Sequence, residues 1–201
     1  MKRLFIYSAM TAMLALGASC SDFLDVKPVG NVSEADFANV EGVDQLVTGM
    51  YAKMHDNRYF EATLSNYVYG DVMGGSANKG STYQDQPDFT SLETYTFTTY
   101  NSYLNWKWQK SYNGVFTANN VIKVADQAKE ELSAVAGQSK DKYTETIAQA
   151  RFFRGFWHFE IVKLFGAAVP YVDEVAMQEN VNPQVSNVDE SGNYIYIWAS
   201  R

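Results

Sequence analysis

Between Ser102 and Phe165, two long stretches of helical period flank one short turn, an arrangement that leaves few folds open. In the first, Trp108, Tyr112, Val115, Phe116, Asn119, Val121, Ile122 and Ala125 trace a helix running to about Leu132. In the second, from Lys142 to Phe165, Tyr143, Ile147, Ala150, Phe153, Trp157, Ile161 and Leu164 share a stripe. Apolar side chains recurring every three or four residues gather on one helix face, which must be buried. Gly137 and Ser139 make the turn between them, Gly166 is placed as the C-terminal stop, and Pro170 follows. Two such helices form an antiparallel hairpin of about tetratricopeptide size, roughly 34 residues per repeat. The pattern predicts a mainly α fold built from helical hairpins.

Upstream, Ser33 and Asp36 have capping-box spacing, and Val43, Leu46, Val47, Met50, Tyr51 and Met54 describe an amphipathic helix ending near Asp56 and Asn57. A shorter helix is expected over Tyr59 to Tyr67. From Gly70 to Tyr100 the period vanishes, and Gly74, Gly75, Gly80 and Pro87 punctuate a long irregular loop region. Loops of this length are functional or disordered, and the aromatic residues scattered through this one argue against full disorder. The tail from Val172 reads as loop, with a helix start around Tyr194 to Trp198, and the sequence then stops in mid-element as a truncated product would.

The most apolar run, Phe152 to Leu164, holds five aromatic rings within eight residues, three of them Phe152, Phe156 and Phe159. A helix apolar on most of its circumference is buried between neighbours or lies in a membrane. Arg151, Arg154, His158, Glu160 and Lys163 would be costly in lipid, so a core helix is expected. His158 then reads as a helix-surface or hydrogen-bonded core residue.

Charge narrows the function classes. With 16 basic and 23 acidic residues the net charge is -7, and no basic footprint for nucleic acid is visible. One cysteine, Cys20, excludes an intramolecular disulfide and a cysteine metal cage. His55 and His158 lack the spacing of a zinc site, so no metal or cofactor is expected.

The N-terminus has the form of an export signal: Lys2 and Arg3, an apolar stretch from Leu4 to Leu16, then Gly17, Ala18 and Ser19 before Cys20. Residues 1–19 are read as the signal peptide. Cys20 looks like the lipidated cysteine of a bacterial lipoprotein, although Leu16 stands four residues before it rather than three. Residues 20–32, with Asp22, Asp25, Pro28 and Gly30, are read as a lipid-anchored tether to the membrane. Removal of the leader leaves 14 basic against 23 acidic residues.

Four stretches in order, "CSDFLDVKP", "GVDQLVTGMYAKM", "WQKSYNGVFTANNVI" and "ARFFRGFWHFEIVKLFGAAVPY", resemble the SusD/RagB family of nutrient-binding outer-membrane lipoproteins. On this resemblance, residues 33–201 are the N-terminal part of a SusD-like α-helical domain with tetratricopeptide-like hairpins. It further implies a lipid anchor at Cys20 and exposure at the exterior of the outer membrane. It implies two partners, an oligo- or polysaccharide ligand and a SusC-like TonB-dependent transporter, with no catalysis. Ligand contacts would come from loops, and in starch-binding relatives a loop in this general region supplies a tryptophan and an asparagine.

Sugars present apolar C–H faces and rings of hydroxyls, so a site for them needs exposed aromatic platforms beside amides or carboxylates. "TYNSYLNWKW" offers Tyr100, Asn101, Tyr103 and Trp106 at the loop-to-helix junction, with Asp71 and Tyr83 as further candidates. Trp108 fits the helical stripe and is assigned to the core. The alternative is that these aromatics pack beneath the loop. Competing functions are a helical interaction scaffold without its own ligand site, a non-functional truncated fragment, or a glycoside hydrolase. The last would need two carboxylates about 5–10 Å apart on a rigid scaffold. Asp85 and Asp88 lie in the loop region and read as solvated acids.

Overall fold

The computed structural model describes residues 34–55, 67–166 and 169–179. The signal peptide, the Cys20 tether, Ser33, the helix expected from Tyr59 and the one around Tyr194 to Trp198 lie outside the described residues, apart from Tyr67. What is described is mainly helical: α1 (Val40–Ala52), α2 (Pro87–Glu93), α3 (Ser102–Gln127), α4 (Lys129–Ser133), α5 (Lys142–Phe165) and α6 (Glu174–Glu179). No helix among the described residues is long and apolar enough to cross a membrane.

The predicted hairpin is α3 and α5. Its antiparallel register is read from paired residues: Lys107 meets Glu160, Asn119 meets Arg154, and Asp126 meets Tyr143. Position rises on one helix as it falls on the other. α5 spans the predicted residues, with Asp141 accepting the Thr144 N–H at 2.9 Å as its N-cap. Gly166 closes it at φ 79°, a left-handed value that suits glycine. In the turn, the Glu145 carboxylate accepts the backbone N–H groups of Gln138, Ser139 and Lys140. Those bonds hold its pKa below the usual carboxylate range.

Two helices start or stop differently from the expectation. The first is capped by Asn39, whose side chain accepts the Gly42 N–H at 2.9 Å, while Glu34–Phe37 forms a separate 3-10 turn. The helix expected to reach Leu132 unbroken bends at Ala128 (φ -97°, ψ 17°), and α4 resumes directly with Leu132 fully buried.

The core lies between α1, α3 and α5, where Val43, Met50, Val115, Val121, Ile122, Phe153, Trp157 and Ile161 are buried together. Tyr51 of α1 sits edge-on to Phe153 at 4.5 Å and donates its hydroxyl to Gln149. The closest approach in the hairpin is at Gly114, where an added Cβ would stand 2.3 Å from the buried Trp157 indole. Gly114→Ala is therefore expected to destabilise the fold by about 1–3 kcal/mol, as overpacking does, despite a helix-propensity gain of about 1 kcal/mol. A thermal melt beside wild type checks it, and an unchanged or higher midpoint would refute the close contact.

α5 corrects the expectation of burial nearly all round. Phe153, Trp157 and Ile161 face the core, but Phe152 is 67% exposed and Phe159 is exposed as well, on the opposite side. Lys163 lies over the Phe159 ring at 5.4 Å, a cation–π contact at the surface. Of the polar residues of the run, Arg154, His158 and Glu160 are buried, while Lys163 is exposed.

Two of those polar residues, Arg154 and His158, grip the chain that returns after α5. Arg154 donates to the Asn119 side chain at 3.1 Å and pairs with Glu174. Asn119 donates to the Val172 carbonyl at 3.1 Å, Tyr112 donates to the Pro170 carbonyl at 2.7 Å, and His158 Nε2 accepts the Val172 N–H at 3.2 Å. With Nε2 accepting, the proton sits on His158 Nδ1, which donates to the Arg154 carbonyl at 2.9 Å. The ring of His158 stacks on Tyr171 with centroids 5.1 Å apart. Residues from both hairpin helices thus fix Val169 to Asp173 in place, and α6 follows directly.

Candidate ligand-binding loop

The segment before α3 carries more structure than its lack of period suggests. A π-helical turn (Tyr67–Val72) and α2 enclose a small second core of Val68, Val72, Phe89, Leu92 and Tyr103. Asp88 braces α2 against α3: its carboxylate accepts both the backbone N–H of Ser102, at 2.9 Å, and the Ser102 hydroxyl. Those bonds hold its pKa low. Asp88 is therefore half-buried and committed, which corrects its reading as a solvated acid; Asp85 is exposed.

The predicted site residues divide into two groups. Tyr100 is 88% exposed, Tyr83 is exposed, and so is Asp71. Asn101, by contrast, is 2% exposed and fully engaged. Its Oδ1 accepts the Leu104 N–H as the N-cap of α3, and its Nδ2 donates to the Asp88 carbonyl and to Ser91. Tyr103 is buried, with its hydroxyl donating to Gln86 at 2.8 Å. Burial, followed by the charges of Asp88 and Asp85, raises the Tyr103 pKa. Trp106 is half-buried, its ring 5.2 Å from that of Tyr103. Trp108 sits in the main core as expected, against Phe165 at 5.1 Å. The two tryptophans thus serve different cores.

One exposed group, apart from Tyr100, was not among the site residues predicted from sequence. "TYTFTTY", Thr94 to Tyr100, is exposed along its whole length and displays Tyr95, Phe97 and Tyr100 between threonines. The rings of Tyr95 and Phe97 lie 6.4 Å apart. The legible signal was three aromatics alternating with hydroxyl residues and no charge among them. Elsewhere, an open groove is lined by Glu41, Asp44 and Glu131 with residues of α1, but Glu131 accepts the Val40 N–H and Asp44 pairs with Lys142. Among the described residues, no three His, Cys, Asp or Glu side chains gather as a metal would require.

Against known proteins, residues 22–201 match the SusD-like family described as starch-binding and associating with the outer membrane. The chain belongs to that family. A SusD-like protein of Bacteroides ovatus is 27% identical over 181 residues, which is 90% of this chain and 30% of that protein. SusD-like protein P2 of Formosa agariphila is 25% identical over 180 residues, 87% of this chain and 32% of that protein. The chain therefore spans about a third of the length of these SusD-like relatives. No solved structure matches it significantly. The clamp residues Tyr112, Asn119, Arg154 and His158 fall within two of the four stretches that carry the SusD-like resemblance, which gives those stretches a physical reason in packing.

Proposed function

We propose that this chain is the N-terminal part of a non-catalytic, cell-surface glycan-binding lipoprotein, anchored through Cys20 to the outer membrane. It hands its ligand to a SusC-like TonB-dependent transporter. The observation that carries this reading is the SusD-like match over residues 22–201, which begins two residues after Cys20. A rigid helical hairpin holding an aromatic loop at its end supports it, because sugar binding needs ring faces fixed at a surface. Tyr100, Tyr83, Trp106 and Asp71 are proposed to face the ligand, while Asn101 and Tyr103 position the loop beneath them.

Calorimetric titration against a panel of polysaccharides tests this. Tyr100→Ala and Trp106→Ala are each expected to weaken binding about tenfold, the loss of roughly 1.4 kcal/mol. Equal affinity in both variants would remove these residues from the site. Cys20→Ser is expected to release the protein from the membrane fraction, and full retention there would dismiss the anchor. A brace role for Asp88 predicts no release of reducing sugar from any glycan that binds.

The exposed Phe152 and Phe159 face favours a second reading, a helical interaction scaffold. Co-purification with an outer-membrane barrel, together with no glycan affinity, would support that reading instead.

A further inference from the structure

We propose that Asn113 and Gly114 form a latent self-modification site, which deamidates when the middle of α3 opens and then blocks refolding. The inference is independent of what the protein binds. Packing, helix geometry and amide chemistry each carry a part of it.

Packing forces the pair on the helix. Asn-Gly is a turn signal, and both residues are poor helix formers. Here they sit in the middle of α3, with about three turns on either side. The glycine is there for a reason: an added Cβ would stand 2.3 Å from both Cε2 and Nε1 of the buried Trp157. No larger residue fits without displacing the indole. The amide that follows Asn113 is therefore the least hindered one a chain can offer.

Helix geometry then keeps the two reacting groups apart. Asn113 is exposed, so its side chain is open to water. In a helix, however, the Cα–Cβ bond tilts toward the N-terminus, away from the nitrogen of the next residue. Within α3 the Gly114 N–H is committed to the Lys110 carbonyl, four residues back. The Thr117 hydroxyl donates to the Asn113 carbonyl at 2.8 Å and ties down the same turn.

Opening removes all of these restraints. The Gly114 main-chain nitrogen attacks the side-chain carbonyl carbon of Asn113 and closes a five-membered succinimide. The bond to Nδ2 breaks, and ammonia leaves with the proton that the Gly114 nitrogen gave up. Water opens the ring at either carbonyl, so the net change is one water taken in and one ammonia released. One product is aspartate, which keeps the main chain intact and points into solvent. The other is isoaspartate, which adds a methylene to the main chain directly before a glycine that has no room to shift against Trp157. Modification of the open state makes a reversible opening permanent.

The test incubates the purified protein in mildly alkaline buffer, folded and in guanidinium chloride, and follows the tryptic peptide 111–123 by mass spectrometry. Deamidation at Asn113 should run at least about a hundredfold faster in the unfolded chain, because in the folded one it follows the small open population. Asn119 and Asn120 lie in the same peptide with no glycine after them and serve as internal controls. Glu160→Gln, which removes the buried partner of Lys107, should speed the folded-state reaction about tenfold or more. After long denaturation and refolding, the folded fraction should carry aspartate at position 113 and the fraction that fails to refold should carry isoaspartate. Asn113→Gln, whose longer side chain disfavours ring closure, should refold in full yield after the same treatment. Asn113→Asp should melt close to wild type, which separates the effect of isoaspartate from that of the added charge. Equal rates in folded and unfolded protein would overturn the protection by the helix. Equal refolding losses in wild type and Asn113→Gln, or a low-melting Asn113→Asp, would overturn the block to refolding.

Discussion

Glu160→Gln is expected to cost the fold about 3–5 kcal/mol, the typical penalty for removing one member of a buried ion pair. Glu160 accepts from Lys107 at 2.7 Å and from the more exposed Lys163 at 2.5 Å, and the side chains of Lys107 and Glu160 are both almost fully excluded from water. Burial by itself would raise the Glu160 pKa, but the hydrogen bonds from the two lysines outweigh it and hold the carboxyl below its ordinary value. Burial pulls the Lys107 ammonium below its ordinary value, against the pull of Glu160. Losing the carboxylate charge removes the counter-charge that the buried Lys107 ammonium meets at 2.7 Å. Its ammonium also lies over the Tyr69 ring at 5.4 Å, so the loss reaches the loop core as well as the hairpin. Urea denaturation reads the effect as a lower midpoint at unchanged slope. The double variant Lys107→Met with Glu160→Leu should recover most of the loss, because apolar replacement of a whole buried pair is often neutral or stabilising. A single variant within about 1 kcal/mol of wild type would mean that the pair is solvated.

That pair also shows what a sequence discloses and what it withholds. The hairpin was legible because helical period, the Gly137 turn and the Gly166 stop agree, and local consistency of that kind marks strongly specified elements. Lys107 and Glu160 were not legible as partners. They are 53 positions apart, and only the antiparallel register brings them together. Similarly, nothing in the sequence aims Arg154 and His158, yet both meet the returning chain, at Glu174 and Val172. Composition cannot tell a polar stripe facing water from one facing a peptide segment. Phe152 and Phe159 fail in the opposite sense: an apolar residue reads as buried whether or not anything covers it.

At the candidate site, residue type was legible but orientation was not. An asparagine directly before a helix start satisfies two descriptions, sugar ligand and N-cap, and Asn101 is held by the cap. Tyr103 lies two residues into α3 and turns under the loop into a second core whose members have no common period. That core is invisible to a periodicity search because its residues come from a π-helical turn, a two-turn helix and the start of α3. The Thr94–Tyr100 ridge alternates in a way that suggests a strand, but the backbone instead bends at Tyr95.

Lowering the pH from 7 to 5 is expected to remove about 2 kcal/mol of stability through His158 alone. Burial pushes the His158 pKa down from 6.5 to about 4, against the opposing hydrogen bond to the Arg154 carbonyl. In the unfolded chain the imidazole titrates near its ordinary value, so below pH about 6.5 the unfolded state binds the extra proton first. The stabilisation is therefore complete above pH 6.5 and falls steadily as pH drops toward 4. There the folded imidazole titrates too, after a total loss of about 3 kcal/mol. Carboxylates add little over this window, since Asp88, Asp141 and Glu145 are held below their usual range by the hydroxyl and N–H groups that donate to them. Their contributions, fully present above the unfolded carboxylate pKa, disappear only at lower pH. Urea midpoints at pH 7, 6 and 5 measure the slope. His158→Gln should lower stability at every pH, losing the stack on Tyr171, but should flatten the slope between pH 6.5 and 5. Parallel slopes in wild type and variant would remove His158 from the account. The chemistry at the endpoint is specific, because a protonated Nε2 can no longer accept the Val172 N–H. Acid should therefore free the segment from Val169 to Asp173 before the hairpin itself melts, with amide exchange at Val172 rising ahead of that at Val115 in the core.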